Sequence, residues 1–197
     1  RRSWPNVIAG IEEVKAGNIG KVHFAKGWYT NGRKSIGTGN VVPVPEWLDW
    51  ELWQGPAPRE EYRDNIIHYN WHWFRNWGGG EFLNNGMHFL DLLRWGLGVD
   101  YPTHVDSIGG RYYYEDDYEF PDTQMVTYQF GRDASMWMES RSCNAGPVEG
   151  LYSGVGFYGE KGNLFIHGGN VYKIRNHKGK IIKEIKSSLK FEDGNQM

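Results

Sequence analysis

Thiols are almost missing from these 197 residues: Cys143 is the single cysteine. That excludes an internal disulfide framework and a cysteine-ligated metal cluster. Long apolar runs are missing too. No stretch approaches the length of a membrane span, and no signal-peptide pattern opens the chain. Neither sign of charge dominates. With 22 Lys and Arg against 24 Asp and Glu, the formal net charge is -2. The basic residues are scattered, so the electrostatic footprint of a nucleic-acid or anionic-lipid binder is not there. No repeat or low-complexity tract appears. What remains is a chain long enough for one sizeable core, or one core with an appendage. It starts at Arg1 and runs straight into ordered-looking sequence, which reads as a fragment whose upstream part, including any targeting signal, is missing. Cytoplasm and periplasm stay equally open.

Aromatic residues and glycine are abundant instead, with 10 Trp, 12 Tyr and 27 Gly. Rigid amphipathic rings in such numbers favour oligomer interfaces and stacking against sugar faces or other flat ligands. A large aromatic core with many tight turns explains any single Trp as well.

One stretch organises the rest. Gly78-Gly79-Gly80 breaks the chain, and a run with helical spacing follows over 81–95. At helical periodicity Glu81, Asn84, His88, Asp91 and Trp95 project from one side. The remaining positions are apolar over most of the circumference, which predicts a helix buried nearly all round. A buried helix carries such a polar seam only if the groups satisfy each other or face a ligand cavity. Several polar groups in register beside a glycine-rich entry favour a site.

Along the chain, Pro5 followed by Val7, Ile8, Ile11 and Val14 predicts a helix over 5–16, ended by Gly17-Asn18. Alternation over 20–30, with Val22, Phe24 and Trp28 on one face, predicts a strand. A long Gly/Asn/Pro loop occupies 31–45 and carries Arg33 and Lys34, candidates to meet an anionic or hydroxylated ligand. A short Trp-rich helix or turn follows over 46–54. Residues 68–77 then bring a dense polar-aromatic cluster, one face of which packs while His72, Asn76 or a Trp is expected to line the same cavity as the helix seam. The spacing of His68, His72, His88 and Asp91 matches no compact metal motif, so no metal site is expected. After Gly98 the period becomes two. Strands are predicted over 103–114, 123–130, 134–141, 155–158, 163–167, 171–175 and 180–186, joined by turn residues as an antiparallel meander, with a polar tail fraying from Ser187. The predicted class is α+β: a predominantly antiparallel open sheet with helices on one face. The other face keeps apolar groups and is expected to meet a second subunit, making a homo-oligomer.

Gly-Gly-Gly80 followed by Leu83-Asn84-Asn85-Gly86-Met87-His88 and Asp91-Leu92-Leu93-Arg94-Trp95 resembles the C-terminal domain of the Gfo/Idh/MocA oxidoreductases. The opening helix with Gly17-Asn18-Ile19-Gly20-Lys21-Val22, and the Phe157-Tyr158-Gly159-Glu160-Lys161-Gly162 turn, fit as well. The Trp-Glu-Leu-Trp-Gln-Gly-Pro-Ala-Pro and Tyr-Asn-Trp-His-Trp-Phe stretches look like the branch common in bacteria that degrade complex glycans. The resemblance implies a two-domain enzyme in which an N-terminal Rossmann domain binds NAD or NADP. On that reading residues 1–18 form the linking helix after the missing dinucleotide domain, and 19–197 form the substrate-binding and oligomerisation domain. No Gly-x-Gly-x-x-Gly lies between a strand and a helix in this chain, and the family's Glu-Lys-Pro lysine would also lie upstream.

By the resemblance, His88 matches the family's catalytic histidine, and an imidazole that titrates near neutrality suits proton exchange with a substrate hydroxyl. Asn84 stands where much of the family has Asp. An amide orients a hydroxyl or His88 but takes no proton; Asp91, one turn further, is placed to supply charge instead. Asn85, His72, Arg33, Lys34, Asn76 and Asp91 are the expected substrate-binding set. The implied activity is hydride transfer from a sugar, glycoside or polyol hydroxyl. The alternatives are NAD-dependent glycoside hydrolysis through transient sugar oxidation, and a non-catalytic glycan-binding or assembly module.

Overall fold

The computed structural model describes residues 1–132 and 134–186; the expected fraying tail from Ser187 lies outside them. Helix α1 (Pro5–Lys15) starts on its proline, whose missing N–H is no loss in a first turn, and buries Val7, Ile11 and Val14. Strand β1 (Val22–Thr30) follows. The next stretch holds only a one-turn helix α2 (Trp50–Trp53), capped by the Asp49 carboxylate on Leu52 N–H at 2.9 Å, and a 3₁₀ turn (Asn70–Trp73). A π turn (Phe82–Gly86) then runs into α3 (Met87–Leu97), which Gly98 ends in the left-handed region at φ 67°. The rest is strand: β2 (His104–Gly110), β3 (Thr123–Phe130), β4 (Ala134–Arg141), β5 (Ser153–Gly159), β6 (Gly162–His167), β7 (Tyr172–Arg175) and β8 (Ile181–Ile185).

These strands form one mixed, mostly antiparallel sheet in the order β2-β3-β4-β1-β5-β6-β7-β8. The α+β class is as the sequence predicts. The meander is not continuous, however: β1 enters between β4 and β5, parallel to the first and antiparallel to the second. Its residues explain the central place. Ala25 and Trp28 point to opposite faces and both are fully buried, which an edge strand does not offer. The parallel pairing with β4 needs a long crossover, and the chain from Asn31 through α3 and β3 provides it.

Helices α1 and α3 cover one face. Val7, Ile11, Phe89, Leu92 and Leu93 pack there against Ala25, Met138, Val155, Phe157, Leu164 and Ile166. Close approach depends on two glycines. A Cβ on Gly96 would lie 2.3 Å from the Phe157 ring, and one on Gly27 would lie 2.8 Å from the Met138 sulfur. Helix α3 is therefore seated directly on β1 and β5, and its direction is set by backbone-to-ring contact.

The opposite face carries Phe24, Lys26, Trp137, Tyr158 and Phe165. Phe24 meets Trp137 edge-on at 5.0 Å, and Lys26 lies over the Trp28 and Trp137 rings. Val22 does not join Phe24 and Trp28 as the alternation predicts. The register shifts between Val22 and Phe24, and this irregularity turns Val22 toward the helix-side core. Residues after β1 build a second, smaller core of Trp50, Tyr62, Ile66 and Phe74.

Candidate functional site

The helix expected over 81–95 is two elements. Its first turn, Phe82–Gly86, is wound as a π helix and only Met87–Leu97 is regular. A π turn widens the coil, so residues before and after it lose the common face that a uniform helix gives them. The polar seam is split accordingly. Glu81 points inward and is 1% exposed, Asn84 and Asn85 are half-buried, and His88 is exposed. Burial all round is also not what the structure shows: Leu83 and Met87 are 57% and 56% exposed.

Glu81 is the centre of the arrangement. Its carboxylate accepts from the Arg33 Nε and, at 3.2 Å, from Nη2, and also from the Asn85 amide one turn along. Its own N–H donates to the Tyr118 hydroxyl at 3.2 Å. The Arg33 guanidinium lies over the Trp73 ring at 4.8 Å and the Tyr69 ring at 5.4 Å. Burial alone would lower its pKa, but the bonds and charge of Glu81 outweigh that and hold it above its ordinary value. Arg33 and Asn85, predicted separately as ligand-binding groups, are thus brought together through a carboxylate.

Tyr29, at the end of β1, completes this corner and was not anticipated from sequence. Its hydroxyl accepts from the Asn31 amide at 3.1 Å, its ring lies 6.3 Å from Phe89, and burial with the nearby Glu81 charge raises its pKa. The available signal was its alternation with Ala25 and Gly27, which puts it on the helix-covered face beside the long loop.

His88 has its pKa lowered by burial and by positive charge at Arg1, with Asp91 opposing. The shift favours the neutral ring over the charged one. Asp91 is engaged elsewhere: Arg2 donates to both its oxygens at 2.9 and 2.6 Å, and that bond holds its pKa down. The charge expected for His88 is largely committed to Arg2.

The remaining predicted residues spread out. His72 Nδ1 bonds the Tyr69 carbonyl at 2.6 Å, and its ring stacks on Trp71 at 3.7 Å, so it joins the aromatic group that covers Arg33. Lys34 is exposed and shares a narrow cleft with Arg33 and Trp73. Asn76 donates to Glu60 and lines a different hollow, with Trp71 and Trp77, not the cavity expected for it. What the surface offers chemically is an exposed imidazole held toward its neutral form, two amides on a π turn, and a cation held by a buried carboxylate.

Fold and surface together define an α+β sheet domain that presents a histidine from a helix packed on the sheet. The sequence matches the family model described as the oxidoreductase family, C-terminal alpha/beta domain (GFO_IDH_MocA_C2), over residues 15–155, and the chain belongs to that family. Among solved structures it is similar to the aldose-aldose oxidoreductase of Caulobacter crescentus complexed with glycerol, at TM-score 0.64 and 15% identity, covering 96% of this chain and 46% of that one. It is similar to levoglucosan dehydrogenase in complex with NADH and levoglucosan, at TM-score 0.62 and 14% identity, covering 94% and 45%. The WlbA dehydrogenase of Bordetella pertussis, in complex with NADH and UDP-GlcNAcA, gives TM-score 0.55 and 17% identity, covering 84% and 40%. At these identities the likeness is one of fold, and the chain spans less than half the length of each of the three. No curated protein matches the sequence.

Arg33→Met leaves the buried Glu81 charge without its cation and is expected to cost about 3–5 kcal/mol of stability in urea unfolding. Adding Glu81→Gln to that variant should restore part of the loss. A single-variant loss within about 1 kcal/mol, typical of an exposed pair, would show that the carboxylate does not depend on Arg33.

Proposed function

We propose that this chain is the substrate-binding domain of an NAD(P)-dependent oxidoreductase acting on a sugar, glycoside or polyol hydroxyl, with His88 as the acid/base. The observation that carries the reading is the exposed imidazole held toward its neutral form on the helix that follows the Asn84–Asn85 π turn. Residues 1–18 act as the link to a preceding dinucleotide-binding domain, and residues 19–197 as the substrate and oligomerisation domain. The cofactor, NAD or NADP, is held mainly by that preceding domain. The exposed side of α3 fits such an arrangement, because a second domain can cover His88 without displacing its neighbours. A bound nicotinamide supplies the hydride acceptor.

This chain supplies the proton chemistry and the orientation. As the hydroxyl-bearing carbon gives up hydride, its O–H proton passes to the neutral His88 ring and the oxygen becomes a carbonyl. Asn84 and the free part of the Asn85 amide hold neighbouring hydroxyls. Glu81 keeps Asn85 and Arg33 in place from beneath. The NADH complexes with levoglucosan and with UDP-GlcNAcA among the structural neighbours support a sugar-like substrate.

In the full-length protein, His88→Ala should lower kcat for NAD(P)H formation on a panel of sugars and polyols by about 10²–10⁴-fold, with the melting temperature kept. Because the pKa of His88 is lowered, the imidazole stays neutral below its ordinary value. Oxidation should therefore persist as pH falls to about 6.5 and fail only below it. An acid limb above that value, or unchanged kcat in the variant, would contradict the assignment.

The sheet face opposite the helices carries Phe24, Trp137 and Tyr158, each only partly buried, and fits contact with a second copy of the chain. Sedimentation velocity should give an oligomer that Phe24→Glu weakens. A monomeric wild type would reject that part of the reading.

A further inference from the structure

The residues after β1 wrap their own small core, and on its outer side they leave an open hollow of about 520 Å³. Trp53, Trp71 and Trp77 line it together with Gln54, Asn76, Pro56 and Ala57. We propose that this hollow is a second carbohydrate site, separate from the His88 surface, that takes one neutral pyranose unit. The proposal shares with the preceding reading only the class of ligand.

Three observations carry it. The first is the fixed orientation of the rings. Trp53 stacks on Trp50 at 4.9 Å and meets Trp77 edge-on at 5.3 Å, while Trp71 is stacked on His72. Indoles held this way present rigid apolar faces that the small core does not use up. The second is the state of the amides. Gln54 is 3% exposed and its Oε1 accepts from Glu60 N–H at 2.7 Å, yet among the described residues nothing bonds its Nε2. A nearly buried amide with an unused donor in a cavity wall is waiting for an acceptor. Asn76 donates to Glu60 and keeps its Oδ1 as an acceptor. Trp77 Nε1 is buried and without a partner as well. The third is charge. None of the lining side chains is ionised, which disfavours a phosphate or a uronate.

A pyranose matches this combination. Its C–H face is apolar and lies flat on a ring, while its hydroxyls each donate and accept at the rim. The volume falls within the range of small-molecule sites, about 300–1,000 Å³. A proline-rich peptide also favours aromatic walls, but it needs an extended groove and would leave the single Gln54 donor and Asn76 acceptor less well matched.

The test is saturation-transfer NMR on the full-length protein with the methyl glycosides of glucose, galactose, mannose and N-acetylglucosamine, and with methyl glucuronide and decaproline as contrasts. Gln54→Glu keeps the Oε1 acceptor for Glu60 N–H and removes the Nε2 donor; Trp71→Ala removes one wall. At least one neutral glycoside should show a saturable component, beyond any binding at the His88 surface, that either variant weakens at least tenfold. Thermal melts show whether each variant is folded, so lost binding is read only where the fold survives. Absence of saturable binding by every neutral glycoside would overturn the proposal. So would the same saturable binding in folded Gln54→Glu and Trp71→Ala as in the wild type, or preference for the glucuronide or the peptide. Turnover on the sugar panel reads the His88 surface and glycoside binding in these two variants reads the hollow, so failure there and failure here are separate results.

Discussion

A carboxylate with almost no access to water has to be compensated from within the protein, and Glu81 meets that requirement with groups from two directions. Arg33 comes from the loop after β1 and Asn85 from the turn just beyond Glu81 itself. Trp73 and Tyr69 close over the guanidinium, so the Trp-rich segment is drawn to the same spot. A loop that otherwise has little regular structure thereby acquires a fixed position against α3. The Asn85 amide is held because the charge beneath it must be paired.

That corner in turn depends on where the sheet places its parts. With β1 in the centre, its far end delivers Tyr29 and the loop beyond it next to the start of α3. Gly27 and Gly96 let α3 lie close on β1 and β5. The N-terminal arginines pin the other side of the same helix, Arg1 over Phe89 and Arg2 on Asp91. His88 is exposed between these anchors, on a helix whose position leaves little freedom.

Most strands were legible because alternation and turn residues are local properties, and the late turns at Gly159–Gly162 and Gly168–Asn170 fall where they were expected. The central place of β1 was not legible from local pattern, since a parallel pairing across about a hundred residues leaves no mark in either strand alone. Nor was the π turn, because hydrogen-bond register is not written in the apolar spacing that predicts a helix. That one miss carried two others: the burial of Leu83 and Met87, and the shared face of Glu81 and His88. At the site, the residues carried by the family resemblance, His88 and Asn84, lie on one turn and the next. Arg33 and Asn85, singled out separately, meet through Glu81. Glu81 was seen as part of the seam but not as the partner of Arg33, because a contact over 48 positions is a tertiary fact. Asn76 went to a different hollow because Glu60 captures its amide.

The most direct measurement is a crystal structure of the full-length protein with NAD(P) and a sugar bound. The account predicts a sugar hydroxyl about 3 Å from a ring nitrogen of His88, with Asn85 and Arg33 still bonded to Glu81. A sugar bound away from His88, or an imidazole covered by the second domain with no space for a hydroxyl, would contradict it.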